Sequence, residues 1–393
     1  MIKEYDVIVI GAGSVGAPTA YFLSEAGFKV LVVEELSSSG QGQNKAAIGG
    51  VRATHSDPAK IQICLQSLDI FSNWKEKTGT DIGWKKGGYC FPVYREKEEN
   101  ILKSFLSIQK KYGLDIDWVD AKGIKKVVPG INENGLIGGT FSPNDGQVSP
   151  LLSSESFTNE AIKLGAEFRY RESVIGFLTE GDKGNVSSVR GIKTKKEEYK
   201  ADNVVNAAGA HASAICEMAG LDIPVNPDSH EAGISAPVEP FLDPLVVDLR
   251  PGVEGKTVNF YFGQNLEGQI IFCYTPNKFF PGEDKRSTSE FMPVIARRLV
   301  NLIPRFKNLT IRRIWRGLYP MTPDGVAVVG KPSGVEGLIL GIGMCGQGFM
   351  MGPGVGLNLA NLITKGSPIL EKEVFDLLSP DRDFYSGKKE SLK

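Results

Sequence analysis

Residues 3 to 34 constrain this chain more tightly than any other stretch. Lys3 to Ile10 reads as a strand, and Gly11-Ala12-Gly13-Ser14-Val15-Gly16 follows it at once. Ala17 to Glu25 continues as a helix, and a second strand, Lys29 to Val33, ends at Glu34. A strand, a glycine turn, a helix and a second strand closed by an acid form a βαβ unit that holds a dinucleotide. The first glycine permits the tight turn, and the second lets the backbone approach a pyrophosphate. The third lets helix and strand pack closely, so that the phosphates rest on amide dipoles at the helix N-terminus. Glu34, with Glu35 beside it, stands about 20 residues past the glycines, where an acid accepts from ribose hydroxyls.

Composition narrows the setting. With 393 residues, the chain can bury a core and build about two domains. A formal net charge of -1 gives no reason to expect nucleic acid or a membrane surface as a partner. The first strand begins within a few residues, which leaves no room for a signal peptide, and no apolar run nears the ~20 residues that span a bilayer. The five cysteines are scattered without a paired spacing and the histidines number three, which argues against a disulfide framework and against a metal. The expected location is cytoplasmic.

Patterning along the chain gives the architecture. Ser37 to Gly50 is a loop rich in Ser, Gly, Gln and Asn. Pro58 to Trp74 places Ile61, Cys64, Leu65, Leu68, Phe71 and Trp74 at helical spacing, and Glu96 to Tyr112 is a charged helix. Leu151 to Leu164 is a further helix, followed by strands around Phe168 to Leu178 and Val186 to Thr194. Val204-Val205 is a short buried strand, and Asn206-Ala207-Ala208-Gly209 turns out of it with side chains too small to block a ligand. Residues 221 to 311 alternate proline turns with strand-like runs such as Val258 to Phe262 and Gln269 to Tyr274. Strand, glycine turn and helix then recur at Leu338 to Ile342, Gly343 to Gly348 and Phe349 to Ile363. The expected fold class is α/β, more fully α+β: a Rossmann-like nucleotide domain beside a second, antiparallel-sheet domain, both discontinuous. The first takes residues 1–85, 146–220 and 312–393, and the second takes 86–145 and 221–311.

The second glycine turn, Gly341-Ile342-Gly343-Met344-Cys345-Gly346-Gln347-Gly348, distinguishes a flavin protein from a simple nicotinamide dehydrogenase. A reduced flavin carries negative charge near N1, and a helix N-terminus aimed there stabilises it. The bland alternative is a second structural turn. With both turns in hand, the chain resembles the D-amino-acid oxidase superfamily of FAD-dependent oxidoreductases. Within it the likeness is to the sarcosine oxidase β-subunit and L-proline dehydrogenase β-subunit branch. Six blocks carry that likeness: Val7 to Glu34, Ala47 to Arg52, Gly146 to Ala166, Val204 to Ala210, Trp315 to Gly330 and Gly341 to Leu362.

The resemblance implies a FAD domain of the glutathione-reductase type and assigns roles residue by residue. Gly11 to Gly16 and Glu34 would hold the pyrophosphate and ribose. Gln43, Asn44, Lys45, Ala46, Ala47 and Ile48 would run along the isoalloxazine. Val174 would present backbone to the adenine, and Ala208 and Gly209 would line the ribityl chain. Gly343, Gly346, Gln347, Gly348, Phe349 and Met350 would surround the pyrimidine side.

Arg52 matches a carboxylate-binding arginine of monomeric sarcosine oxidase, and a guanidinium grips a carboxylate with two parallel bonds. The alternative is a surface or ion-paired arginine. Tyr261 matches a tyrosine that assists carboxylate binding in glycine oxidase, with a core tyrosine as the equal alternative. His55 is a candidate for shaping the pocket or accepting a proton, against a structural histidine. Tyr319 takes the place of glycine oxidase's substrate arginine. Gly317 stands where monomeric sarcosine oxidase has its FAD-linking cysteine, so the implied FAD is noncovalent. Gln269 to Phe272 lacks the lysine associated there with oxygen activation, Met350 replaces a substrate lysine, and Gln347 replaces a common histidine.

The reading reached is hydride removal from the C–N bond of a small amino acid, a secondary amine such as proline or sarcosine, by a dehydrogenase rather than an oxidase. Oxidation of a 2-hydroxy acid or glycerol phosphate, and an electron-relay subunit with little activity alone, are the alternatives. A second subunit or separate electron acceptor, and a homo-oligomer, stay open.

Overall fold

The computed structural model of the protein describes residues 3–182 and 185–385. Its first sheet has eight strands. At the centre β1 (Lys3–Ile10) lies parallel to β2 (Val30–Glu34) on one side and to Glu198–Asn206 on the other. Glu167–Tyr170 continues the parallel array beyond β2, and Leu338–Ile342 continues it beyond Glu198–Asn206. Strands covered on both faces must be apolar throughout rather than alternating, and Val7, Ile8 and Val9 are all fully buried.

Helices α1 (Gly16–Glu25) and α2 (Pro58–Thr78) join Gly348–Lys365 on one face. Helix α2 starts where Asp57 accepts the Lys60 N–H at 3.0 Å and stops at Gly79, whose φ of 77° suits a left-handed cap. Glycines on Gly348–Lys365 replace side chains where backbones meet. A Cβ on Gly352 would lie 1.9 Å from the Ser14 carbonyl oxygen, and one on Gly356 would lie 2.7 Å from the Thr19 nitrogen. Gly354 faces the other way, and its Cβ would lie 2.3 Å from the carbonyl oxygen of Ile63 in α2.

The second sheet also has eight strands, in the order Ile311–Met321, Asn226–Pro237, Gln269–Pro276, Thr257–Gln264, Leu245–Asp248, Tyr89–Val93, Gly138–Ser142, Asp117–Asp120. Every neighbouring pair is antiparallel except Leu245–Asp248 with Tyr89–Val93. Phe260, Phe262 and Phe272 are buried against helix Phe291–Leu302. Ile311–Met321, expected with the nucleotide domain, instead runs along Asn226–Pro237 from Asn226↔Met321 to Ser235↔Ile311. Backbone pairing over that length places it in the second sheet. A small third sheet joins Gly50–Val51 and Lys85–Lys86 to Gly146–Gln147.

Candidate functional site

A cavity of about 620 Å³ lies between the two large sheets. At one end stands the first glycine turn. Gly11 adopts a φ of 98°, and a Cβ there would sit 2.7 Å from the Ala207 carbonyl oxygen. Gly16 is tighter still, with its Cβ position 1.9 Å from the Gly11 oxygen, whereas Gly13 opens on free space. The turn is thus closed on its protein side and open on its cavity side. Helix α1 has no side-chain cap and no acid in its first turn, so its leading amides keep their partial positive charge for an anion. Glu34 accepts from Ala12 N–H at 2.8 Å with one carboxylate oxygen and from Leu36 N–H at 2.9 Å with the other. Each oxygen retains lone pairs for a further donor.

Gly11, Gly13, Ser14, Val15, Glu34 and Glu35 line this end, as do Val174, Ala208 and Gly209. Ala12 and Gly16 lie behind the wall and shape the turn. Two residues here escaped the sequence reading. Buried Glu172 accepts from Thr194 Oγ1 at 2.7 Å and from Tyr199 Oη at 3.0 Å. His211 lies between Glu35, at 3.7 Å, and Glu283, at 3.2 Å.

The middle of the cavity is bounded by Gln43, Asn44, Ala46, Ala47 and Ile48 on one side. Gly343, Gly346, Gln347, Gly348, Phe349 and Met350 bound the other. Lys45, expected with this loop, is exposed and does not line the cavity. Trp315 Nε1 donates to the Ala46 carbonyl at 2.9 Å, and Leu318 N–H donates to Gln43 Oε1 at 2.7 Å, tying the loop to the edge strand. Gly317 packs against Ala46, where a Cβ would lie 2.7 Å from the alanine methyl. Gly346 admits the Tyr319 ring, which would be 2.2 Å from a Cβ at that position. Gln347 is buried at the start of helix Gly348–Lys365, and its Oε1 has no hydrogen-bond partner among the described residues.

The far end is built mainly from the second sheet. Arg52 lines it, 6% exposed, with its guanidinium 5.7 Å from the Phe91 ring and donating to the Thr54 carbonyl. His55 is fully buried and does not line the cavity; its Nδ1 lies 3.5 Å from Arg52 and its Nε2 3.5 Å from Cys64 Sγ. Tyr261 and Tyr319 both line it, their hydroxyls 3.0 Å apart. Burial beside Cys273 pushes both phenols well above the ordinary range, so both stay neutral, and it pushes the Cys273 thiol up to about 12.

An Asp–His pair, also absent from the sequence reading, completes this end. Asp228 Oδ2 lies 3.2 Å from His230 Nε2, and the imidazole centroid is 3.9 Å from that of the Tyr319 ring. Burial pushes the Asp228 carboxyl up, but bonds from His230 and from the Phe280 and Ser229 N–H groups outweigh it and hold the carboxyl below the usual range. An ionised Asp228 fixes the proton on Nε2 and leaves Nδ1 as the acceptor. His230 Nδ1 is buried in the cavity wall without a partner among the described residues.

Residues 6–362 match the family of FAD dependent oxidoreductases known as DAO. The chain belongs to that family. It is 30% identical to the solved L-proline dehydrogenase from P. horikoshii, with a TM-score of 0.88 over 97% of this chain and 98% of that one. It is 23% identical to sarcosine oxidase subunit beta of Rhodobacter capsulatus, over 93% of this chain and 87% of the relative. Against mitochondrial sarcosine dehydrogenase of Mus musculus it is 25% identical over 94% of its own length, but spans only 40% of that protein. The family's cofactor is FAD, and the cavity of this DAO protein fits it. The glycine turn is open towards the cavity, Glu34 keeps lone pairs beside it, and Gln347 Oε1 in the cavity wall is an acceptor unpaired among the described residues. Among the described residues no cluster of His, Cys, Asp or Glu could hold a metal, and no helix is long and apolar enough to cross a membrane.

Proposed function

We propose that this protein oxidises the C–N bond of a small amino acid, a secondary amine such as proline or sarcosine, with noncovalent FAD. The observation that carries the reading is Arg52, a guanidinium buried in the wall of the cavity that also holds the glycine cradle. The turn Gly11 to Gly16 and Glu34 would hold the pyrophosphate and ribose, and Gln43, Asn44, Ala46, Ala47 and Ile48 with residues 343–350 would hold the ring system. Bound FAD would supply the two-electron sink for conversion of the amine to an imine. Arg52 grips the substrate carboxylate through its planar fork and so fixes the carbon to be oxidised. His230 accepts the ammonium proton at Nδ1, leaving the lone pair on nitrogen that expels hydride. Tyr261 and Tyr319, neutral at working pH, offer hydroxyls to the carboxylate.

Gly317 supports noncovalent attachment, because the position offers no nucleophile and packs directly on Ala46. Electrons then leave for an acceptor other than oxygen, a second subunit included. The relative named as a subunit supports a second subunit, and the similar structure named a dehydrogenase supports an acceptor other than oxygen. Anaerobic bleaching of the flavin by a panel of amino acids, followed by admission of oxygen, tests the whole reading. Rapid bleaching by proline or sarcosine and slow recovery in air are expected. Bleaching by 2-hydroxy acids or glycerol phosphate, with none by amines, would overturn it.

A further inference from the structure

Behind Arg52 lies a buried carboxylate that the chemistry above does not use. Asp145 has no exposed surface, although an isolated ionised carboxylate is among the most costly groups to bury. Both of its oxygens are bonded to the segment that carries the guanidinium. Oδ1 accepts the Ala53 N–H at 3.1 Å, and Oδ2 accepts the Thr54 hydroxyl at 3.1 Å. The Thr54 carbonyl in turn accepts from Arg52 itself. A chain of contacts therefore runs from Asp145 through Thr54 to the guanidinium.

The backbone around Asp145 is fixed independently. Its carbonyl accepts the Gly88 N–H at 2.8 Å, and the next residues, Gly146 and Gln147, pair with Val51 and Gly50. At the other end of the segment Gln109 Nε2 donates to the His55 carbonyl at 3.0 Å. Burying a carboxylate to hold a loop is a poor way to gain stability, because replacing buried ionic groups with apolar ones is often neutral or stabilising. Orientation of a neighbouring functional group is the more economical account of its place.

We propose that Asp145 is the positioning residue for Arg52, holding Ala53 and Thr54 so that the guanidinium presents its fork to a substrate carboxylate. This rests on the reading of Arg52 given above. The test uses the holoenzyme and tetrahydro-2-furoate, a carboxylate without an amine, titrated by its perturbation of the flavin spectrum. Asp145→Ala is expected to weaken binding tenfold or more. Asp145→Asn keeps one acceptor oxygen and is expected to weaken it about threefold, as is Thr54→Val. FAD content should stay at the wild-type level in each. On an Arg52→Ala background the same changes should add nothing, because Asp145 acts only through Arg52. A merely structural carboxylate would cause the same loss on either background, and that result would overturn the proposal. So would affinities within twofold of wild type in all three single variants. Should Asp145→Ala fail to fold, Asp145→Asn and Thr54→Val carry the same comparison. Arg52→Ala binding the probe as tightly as wild type would instead remove Arg52 from the site, a failure of the earlier reading.

Discussion

At Arg52 the expected contact is a charge-assisted one, and losing it costs about 1.5–3 kcal/mol, or roughly tenfold to hundredfold in kcat/KM. Arg52→Ala should show that loss at unchanged FAD content, and Arg52→Lys should recover little because an ammonium has no planar fork. Steady-state kinetics of both variants decide it; unchanged kcat/KM would clear Arg52 of any role. Asp145 gives a prediction about pH. Burial pushes its carboxyl up to about 6, against opposing bonds from Ala53, Thr54 and Ser142 and the charge of Arg52. A carboxyl raised on folding binds its proton more tightly in the native state, so its ionisation destabilises the fold as pH rises from about 4 to about 6. Thermal melts should therefore show Asp145→Asn gaining on wild type across that window, by up to roughly 1 kcal/mol per pH unit, then levelling off. A constant difference between the two proteins would refute it. The place of Arg52 in the cavity wall was legible because it follows the loop through residues 43–48 by a few positions. His230 was not, since its meaning lies in a neighbour two positions back on one face of a strand and in the Tyr319 ring from the next strand. The spacing Asp228-Ser229-His230 was the available signal. His55 was a candidate for the pocket because it lies three positions past Arg52, with a structural histidine as the alternative, and it packs behind the guanidinium rather than in the cavity.

Among the elements, helix Gly348–Lys365 shows most clearly what a pattern leaves unread. Its glycine turn and its helical run were both visible in sequence, but nothing there told why Gly352, Gly354 and Gly356 alternate along it. The partners that make them necessary, Ser14, Ile63 and Thr19, are hundreds of residues away in the first glycine turn, α2 and α1. Gly352→Ala should push this helix off the turn that carries Ser14, costing about 1–3 kcal/mol by overpacking and lowering FAD content with it. Measuring Tm and the flavin-to-protein absorbance ratio checks both effects; a fully flavinated variant with wild-type Tm would rule out the close approach. The edge strand Ile311–Met321 is the matching case for sheets. Its composition gave no hint of which sheet it joins, because long-range pairing with Asn226–Pro237 decides that.

For the whole molecule the first prediction concerns the cofactor. Acid precipitation should release all the yellow colour as FAD; colour retained by the pellet would contradict noncovalent attachment, and FMN alone would contradict the cofactor. The second concerns its reoxidation. A cation near the flavin helps oxygen by stabilising superoxide. Gln269–Pro276 supplies no lysine to the cavity, while Lys278 and Lys285 line it as exposed side chains. An artificial dye should accordingly reoxidise the substrate-reduced enzyme faster than air does in stopped flow. Peroxide formed at the rate of turnover would make the protein an oxidase. The two-sheet plan was legible because each half carries its own periodicity, whereas the path of Ile311–Met321 into the second sheet was not.

That path has a consequence for the protein without its flavin. One margin of Ile311–Met321 is paired with Asn226–Pro237, and the other is occupied by the loop through Gln43 and Ala46. If the loop loosens once the ring system is gone, Leu318 N–H and its neighbours become a free template for β-pairing with another chain. The deflavinated protein should then self-associate with a gain in β-structure, and added FAD should suppress this at low stoichiometry. Light scattering and infrared amide bands would follow both, and a monodisperse apoprotein would show that the margin stays covered.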